Sequence, residues 1–282
     1  SGIGGTDPLA HLSTLKAQVL EALVGAEPTL GRDLASSVKG LRQKVVTGSG
    51  KSLTEVGMTT LVLSRMTMDG TIARTRPTGS WLSSQFRYEL VDRSNDAPPT
   101  MAEACAELAG RYLSRFGPAT LEDCQWWTGW TKTQTKRAVE DAGAVRVEIE
   151  DDSGSGTAAG FARVDTLEVL DGIEPQSPWV TFLPALDPTT MGWKHRSWYL
   201  GAGHEQLFDR FGNAGPTVWS DGRVVGGWGQ RPDGTVVHRL LEPVDGEIES
   251  LVEDEGARIS DWLDGTVVKP RFRAPLEKEL SS

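Results

Sequence analysis

Cysteine and histidine are scarce in this 282-residue chain: Cys105 and Cys124 are the only thiols, and the four histidines stand at positions 11, 195, 204 and 238. Both cysteines fall in helix-like segments, where a thiol is a small buried apolar group rather than part of a disulfide or redox centre. No histidine has metal-ligand spacing to either cysteine, so no metal site is expected. Long apolar runs are missing too, and nothing approaches the ~18 residues needed to cross a bilayer. The opening SGIGGTDP lacks the basic and hydrophobic parts of a signal peptide. A soluble cytoplasmic protein without membrane, metal or cofactor is the expectation.

Positive charge is in deficit, with 29 Lys+Arg against 39 Asp+Glu and a net charge of -10. An evenly acidic surface would repel nucleic acid, but the deficit is uneven. From Lys39 to Arg87 eight bases face two acids, a local balance of +6, whereas Leu240 to Gly265 holds nine acids and only Arg258, a balance of -8. Phosphate attraction depends on the patch within ~10 Å at ordinary salt. The basic segment is therefore the candidate contact, and the acidic one faces away from nucleic acid or offers a surface to a protein partner.

Acids are absent from Thr71 until Glu89, while Arg74, Arg76, Arg87 and Trp81 occur in that stretch around Gly79. It follows a helical run, Leu53 to Asp69, closed by Gly70. Upstream, Leu9 to Val24 has apolar residues at helical spacing after Asp7-Pro8, and Thr29 is placed to cap a short helix, TLGRDLASS. A loop with Gly48, Ser49 and Gly50 leads into the third helix. Three helices and a basic hairpin compose a winged helix-turn-helix, which sets a helix in the major groove and a hairpin along flanking phosphates.

The scheme repeats after an Asn/Asp/Pro linker at Ser94 to Pro99. Thr100 caps a helix to Phe116, Thr120 caps another, and Thr131 or Thr133 opens a third that Gly143 stops. Strands AVRVEIEDD and GFARVDT then flank a Ser/Gly loop, Ser153 to Thr157. Glu148, Glu150, Asp151 and Asp152 make this second wing a poor phosphate binder, suited to structure or to packing on another domain. From Trp179 the pattern changes to WVTFLPALDP, a helix TTMGWKHRSWYLG, and strands joined by Asp221-Gly222 and Asp233-Gly234 turns. An acidic covering helix, Glu247 to Leu263, and a last strand, Thr266 to Phe272, complete it. The fold class expected is α+β: winged-helix domains at 8–93 and 100–170, then a small antiparallel β-sheet or barrel domain at 178–275.

RPTGSW with QFRYEL, RYLSRFGPAT, FLPALDPTTMGWKHRSWYLG and GNAGPTVWSDGRVVGGWGQR together resemble the winged-helix DNA-binding family that includes the bacterial crosslink-repair DNA glycosylases. The resemblance runs from about Leu9 to Phe272. It implies tandem winged helices and a β-rich domain around a DNA channel, in a family whose characterised members cut the glycosidic bond of alkylated purines. It also implies a catalytic Gln followed two positions on by Gln or Asp, in an N-terminal winged helix ahead of these segments. None of the eight glutamines here has that neighbour. Either the chain is part of a longer protein or this member lacks that domain, and no catalytic residue is assigned.

Hydrolysing an N-glycosidic bond needs a positioned water and a group that stabilises an oxocarbenium ion. Asp187, His195 and Asp221 could substitute, but Asp187 also suits a helix cap, Asp221 a turn, and His195 a surface position or DNA backbone contact. The nucleic-acid-binding residues expected are Lys51, Arg65, Arg74, Arg76, Trp81, Arg87, Lys132, Lys136, Arg137, Lys194, His195 and Arg196, with double-stranded DNA as partner. Arg74 and Arg76 share one strand face, and Lys132 and Lys136 stand one helical turn apart, within reach of adjacent phosphates. Of the ten tryptophans, Trp126, Trp127, Trp219, Trp228 and Trp262 are expected in the core. Trp81, at the bend of the basic wing, is the candidate DNA wedge. A noncatalytic protein-interaction module is the competing function.

Overall fold

Three Thr-led capping boxes set out the helices of the chain's middle. In each the threonine hydroxyl accepts from the backbone N–H three residues on, and the side chain there accepts from the threonine N–H: Thr100 with Glu103, Thr120 with Asp123, Thr131 with Gln134. Such caps satisfy two otherwise orphaned donors and stabilise a helix by about 1 kcal/mol. The computed structural model describes residues 8–48, 53–92, 97–150, 156–174, 176–201 and 203–282. Lys51, the Ser49-Gly50 loop, Ser94 to Asp96 of the linker, and Asp151 to Ser155 at the second hairpin's tip lie outside them. The chain forms two compact units, Ser1–Pro98 and Pro99–Ser282.

In the first unit α1 (Pro8–Leu23), β1 (Thr29–Leu30), α2 (Gly31–Ser37) and a 3-10 turn (Lys39–Arg42) precede a hairpin of β2 (Lys44–Thr47) and β3 (Thr54–Gly57). Then come α3 (Met58–Met68), β4 (Ile72–Pro77) and β5 (Phe86–Leu90), in an antiparallel sheet of order β1-β5-β4. Leu15, Val19 and Leu23 of α1 pack with Leu34, Val62, Leu63, Met66 and Ile72 into one core. Two expectations are corrected here. The third helix starts at Met58 rather than Leu53, because the β-branched alternation of Lys44–Thr47 pairs with Thr54–Gly57. Thr29 does not cap α2: it is strand, opposite Tyr88, and Leu30 occupies the N-cap position.

In the second unit α4 (Met101–Phe116), β6 (Ala119–Thr120), α5 (Leu121–Thr128), α6 (Lys132–Asp141), β7 (Val145–Glu150) and β8 (Thr157–Ala162) build a helical layer with a three-stranded sheet, β6-β8-β7. The strand expected at GFARVDT ends at Ala162, and α7 (Val164–Asp171) follows. Next are β9 (Val180–Leu183), α8 (Pro188–Met191), a 3-10 turn (His204–Leu207), β10 (Thr217–Ser220), β11 (Arg223–Gln230), β12 (Val236–Leu240), α9 (Gly246–Leu263) and α10 (Pro275–Leu280). The second sheet is antiparallel, order β12-β11-β10-β9, and open. It is therefore the sheet, not the barrel, of the two forms expected. α9 covers one face, burying Ile248 and Val252 against Phe182, Val218 and Val225.

The helix expected over Thr189 to Gly201 stops at Met191. A β-carbon at Gly192 would run into the Phe116 ring, and the segment beyond it satisfies its backbone elsewhere. Tyr112 donates to the Gly192 carbonyl at 3.0 Å, and Trp193 Nε1 donates to the Phe116 carbonyl at 2.8 Å. A chain of ring contacts follows: Phe116–Trp193 at 5.3 Å, Trp193–Trp198 at 4.9 Å, Trp198–Tyr199 at 4.8 Å and Tyr199–Trp219 at 5.1 Å. Aromatic pairs of this kind add ~0.5–1.5 kcal/mol each beyond their buried area. The last expected strand, Thr266 to Phe272, is also absent. Gln230 takes its backbone instead, donating to the Thr266 carbonyl and accepting from Val268 N–H, each at 2.9 Å.

The tryptophans divide differently from expectation. Trp219 is buried at 3% exposure, but Trp126 and Trp127 are each 39% exposed and Trp262 is 71% exposed. Its apolar neighbours in sequence, half-buried Ile259 and buried Leu263, turn toward the core while Trp262 stays on the exposed side of α9. Cys124 is buried and Cys105 half-buried, and both are free thiols.

Candidate nucleic-acid interface

In the first unit β4 and β5 form the hairpin that carries the arginines. Register places Arg74 opposite Tyr88, and an irregularity between Arg74 and Pro77 shifts the pairing toward the tip. Arg74 and Arg76 are both exposed, and neither has a carboxylate partner among the described residues. The Arg74 guanidinium sits 4.2 Å from the centre of the Phe86 ring, a contact that orients the cation without neutralising it. The tip turns through Gly79, at φ 83°, a left-handed conformation that glycine adopts freely. Thr78 N–H bonds the Gln85 carbonyl at 2.8 Å, and Trp81 at the tip is 58% exposed.

Arg87 is placed differently. It is half-buried and donates to the Pro28 carbonyl at 3.1 Å, bracing the sheet edge. Arg65 lies 3.0 Å from Asp69, four residues along α3. Asp69 also bonds Lys16, and that hydrogen bond, aided by both cations, holds its carboxyl below the usual range. Within this unit Arg74 and Arg76 on β4 are exposed bases without a carboxylate among the described residues, as are Lys39 and Arg42 of the 3-10 turn.

In the second unit α6 projects Lys132, Lys136 and Arg137 to solvent. Glu140 lies 3.8 Å from Lys136, and Asp141 3.5 Å from Arg137. Exposed pairs of this spacing are worth ~0.3–0.5 kcal/mol and exchange readily with phosphate.

Lys194, His195 and Arg196 lie in an irregular segment, not on a helix. Asp123, only 3% exposed, accepts at Oδ1 from the backbone N–H of Lys194 (2.9 Å) and of His195 (3.0 Å) while Oδ2 serves the cap of α5. Glu122 bonds the Lys194 ammonium and meets His195 Nε2 at 2.8 Å. Those two partners, Lys194 first, pull the Glu122 carboxyl below its ordinary range. Sequence gave no sign of this link, because the partners are more than seventy positions apart.

Arg196 points inward. It donates to the Trp193 carbonyl at 2.9 Å and the Gly212 carbonyl at 3.4 Å, and its guanidinium lies 5.0 Å from the Trp126 ring and 4.9 Å from that of Phe208. Burial lowers its pKa from the usual arginine value.

The same segment forms one wall of a cleft of about 1420 Å³, with α5 and the β7–β8 hairpin as the others. Glu122, Asp123, Glu148 and Glu150 line it against Lys132 and His195, so its polar lining is mainly acidic. Asp187 caps α8 through Thr189 N–H at 2.8 Å, and Asp221 accepts from Trp179 N–H at 3.0 Å. Among the described residues no group of three or more His, Cys, Asp or Glu could hold a metal, and no helix is long and apolar enough to cross a membrane.

Comparison with solved structures finds the Streptomyces sahachiroi DNA glycosylase AlkZ, with a TM-score of 0.65 at 20% identity over 91% of this chain and 68% of that one. No curated protein matches the sequence. The family model described as DNA glycosylase AlkZ-like matches residues 7–262. With nearly its whole length under that model, the chain belongs to the AlkZ-like DNA glycosylase family.

Proposed function

We propose that the chain is a cytoplasmic protein that binds double-stranded DNA through tandem winged helices at 8–93 and 100–170, with the β-rich domain at 178–275. It would serve as the DNA-binding portion of an alkylpurine or crosslink-repair glycosylase. The observation that carries this reading is the β4–β5 hairpin, where Arg74 and Arg76 stand exposed, side by side and unneutralised. Such cations gain by releasing counterions from a phosphate backbone. Lys132, Lys136 and Arg137 on α6 form the corresponding contact in the second winged helix, and Trp81 is the candidate groove wedge. None of these residues is assigned to bond cleavage.

A labelled duplex titrated at several salt concentrations tests the proposal by fluorescence anisotropy. Binding should weaken steeply with salt, and Arg74→Ala with Arg76→Ala should reduce the log-log slope by about 2, since each phosphate contact contributes ~0.9. Unchanged affinity and slope in a double variant with native thermal stability would refute the hairpin contact.

The acidic face of α9 favours a second reading. Glu247, Glu249, Glu253 and Asp254 are exposed along α9, and Trp262 is 71% exposed on the same helix. A noncatalytic module engaging a basic protein partner there would show no salt-sensitive DNA binding.

A further inference from the structure

The loop Asp209 to Asn213 holds a phenylalanine out in solvent by construction. Phe211 is 74% exposed, and burying a phenylalanine side chain gains roughly 1.5–3 kcal/mol, so a pliant loop would fold it inward. This loop is not free to do so. Asp209 Oδ1 accepts from Phe211 N–H at 2.8 Å and Asn213 N–H at 3.0 Å, and Oδ2 accepts from Asn213 Nδ2 at 2.9 Å. Asp209 N–H bonds the Asn213 carbonyl, Gly212 N–H bonds the Asp209 carbonyl, and Phe208 bridges to Ala214 at the base. Gly212 has φ 81°, a left-handed conformation that closes the turn.

Charge accompanies the ring. The Arg210 guanidinium lies 4.6 Å from the Phe211 ring centre. Arg196 donates to the Gly212 carbonyl, and its partners among the described residues are neutral: two carbonyls, the Met191 sulfur and two aromatic rings. One guanidinium, that of Arg210, therefore lies against the protruding ring, while Arg196 braces the loop backbone at Gly212. The Asp209 carboxylate is the opposing charge, and its oxygens are occupied by the loop's own donors.

We infer that Phe211 is a base-stack wedge and Arg210 its phosphate anchor, together forming a DNA contact in the second unit. A flat apolar ring that enters between bases, beside a cation that meets the backbone, matches the chemistry of duplex DNA. A charged rim without the ring would suit phosphate alone, and a ring without the cations would suit an apolar partner. The inference rests on the DNA-binding reading above and extends it to a site outside the hairpin.

The test uses the whole chain and a set of short duplexes carrying 2-aminopurine at each successive position. This base brightens when unstacked and is excited apart from tryptophan. Anisotropy of the same duplexes reports binding. The wild-type chain should bind and brighten the probe at one or two positions. Phe211→Ala should abolish the brightening and weaken binding roughly fivefold or more, the scale of one base–aromatic stack. Phe211→Tyr should restore both, and Arg210→Gln should lower the salt slope by about 1 while keeping the brightening. Because Phe211 is exposed, the alanine variant should melt like the parent.

Wild-type binding without brightening at any position, or equal brightening by Phe211→Ala, would overturn the wedge and leave the hairpin contact standing. No binding by the wild-type chain at any salt would remove the DNA-binding reading itself, and the wedge with it.

Discussion

Two of the arginines that lie over aromatic rings, Arg74 and Arg196, do so with opposite results. Arg74 covers Phe86 at the surface and keeps its charge available, while Arg196 is enclosed by Trp126 and Phe208 and spends its donors on carbonyls. Sequence places both among the candidate DNA contacts, and only their surroundings separate them. The same holds for Glu122, which no local pattern marks. Its folded-state pKa is lowered by Lys194 and His195, so the interaction is fully present above the ordinary glutamate value of 4.5 and fades as pH falls through the lower folded value. A carbon-detected NMR titration of the Glu122 carboxyl should find its midpoint below 4.5. Replacing Lys194 with Met should move that midpoint upward. A wild-type midpoint at or above 4.5 would show that the pair does not form in solution.

At the scale of elements, Asp123 does the work of two side chains. It caps α5 through Thr120 and holds the backbone of Lys194 and His195. Asp123→Asn would keep the volume but lose an acceptor, stranding buried donors at ~1–3 kcal/mol each. The melting temperature of the variant should fall by several degrees, and a variant that melts with the parent would refute this role. The contrast between α5 and the segment it holds explains what sequence could show. Helices α4, α5 and α6 were legible because their caps are local, each a threonine and its partner three residues on. The hairpins β4–β5, β7–β8 and β10–β11 were legible from alternation and turn glycines. Residues 192–201 carry a helical pattern in sequence but are irregular, because their partners, Asp123 and Phe116, are remote in sequence. β2–β3 was hidden for a related reason, since its strands are short and half-exposed. In the candidate site, the exposed Arg74 and Arg76 pair follows from strand alternation, whereas the buried roles of Arg87 and Arg196 depend on tertiary partners.

Across the whole molecule, charge is divided between the units. Ser1–Pro98 holds eleven bases and nine acids, a balance of +2, which leaves -12 for the rest. At ordinary salt the Debye length of ~8–10 Å confines each phosphate to its local patch, but at 0.01 M it reaches ~30 Å and the net charge of the whole chain counts. A plot of log affinity against log salt should therefore be steep near physiological salt and flatten toward low salt. A straight line over the whole range would mean that the acids of the second unit do not influence the bound duplex.

The carboxylate shared between α5 and the Lys194–His195 backbone also fixes how the second unit comes apart. The two amides it holds there are 71 and 72 residues distant, so opening that segment strips a buried charge of two of its four donors and weakens the cap of α5. Helical layer and sheet layer are thereby joined into one cooperative block. The amides of Lys194 and His195, although they lie in an irregular segment, should therefore be protected in a hydrogen-exchange NMR measurement, and exchange as fast as an open loop would refute the coupling.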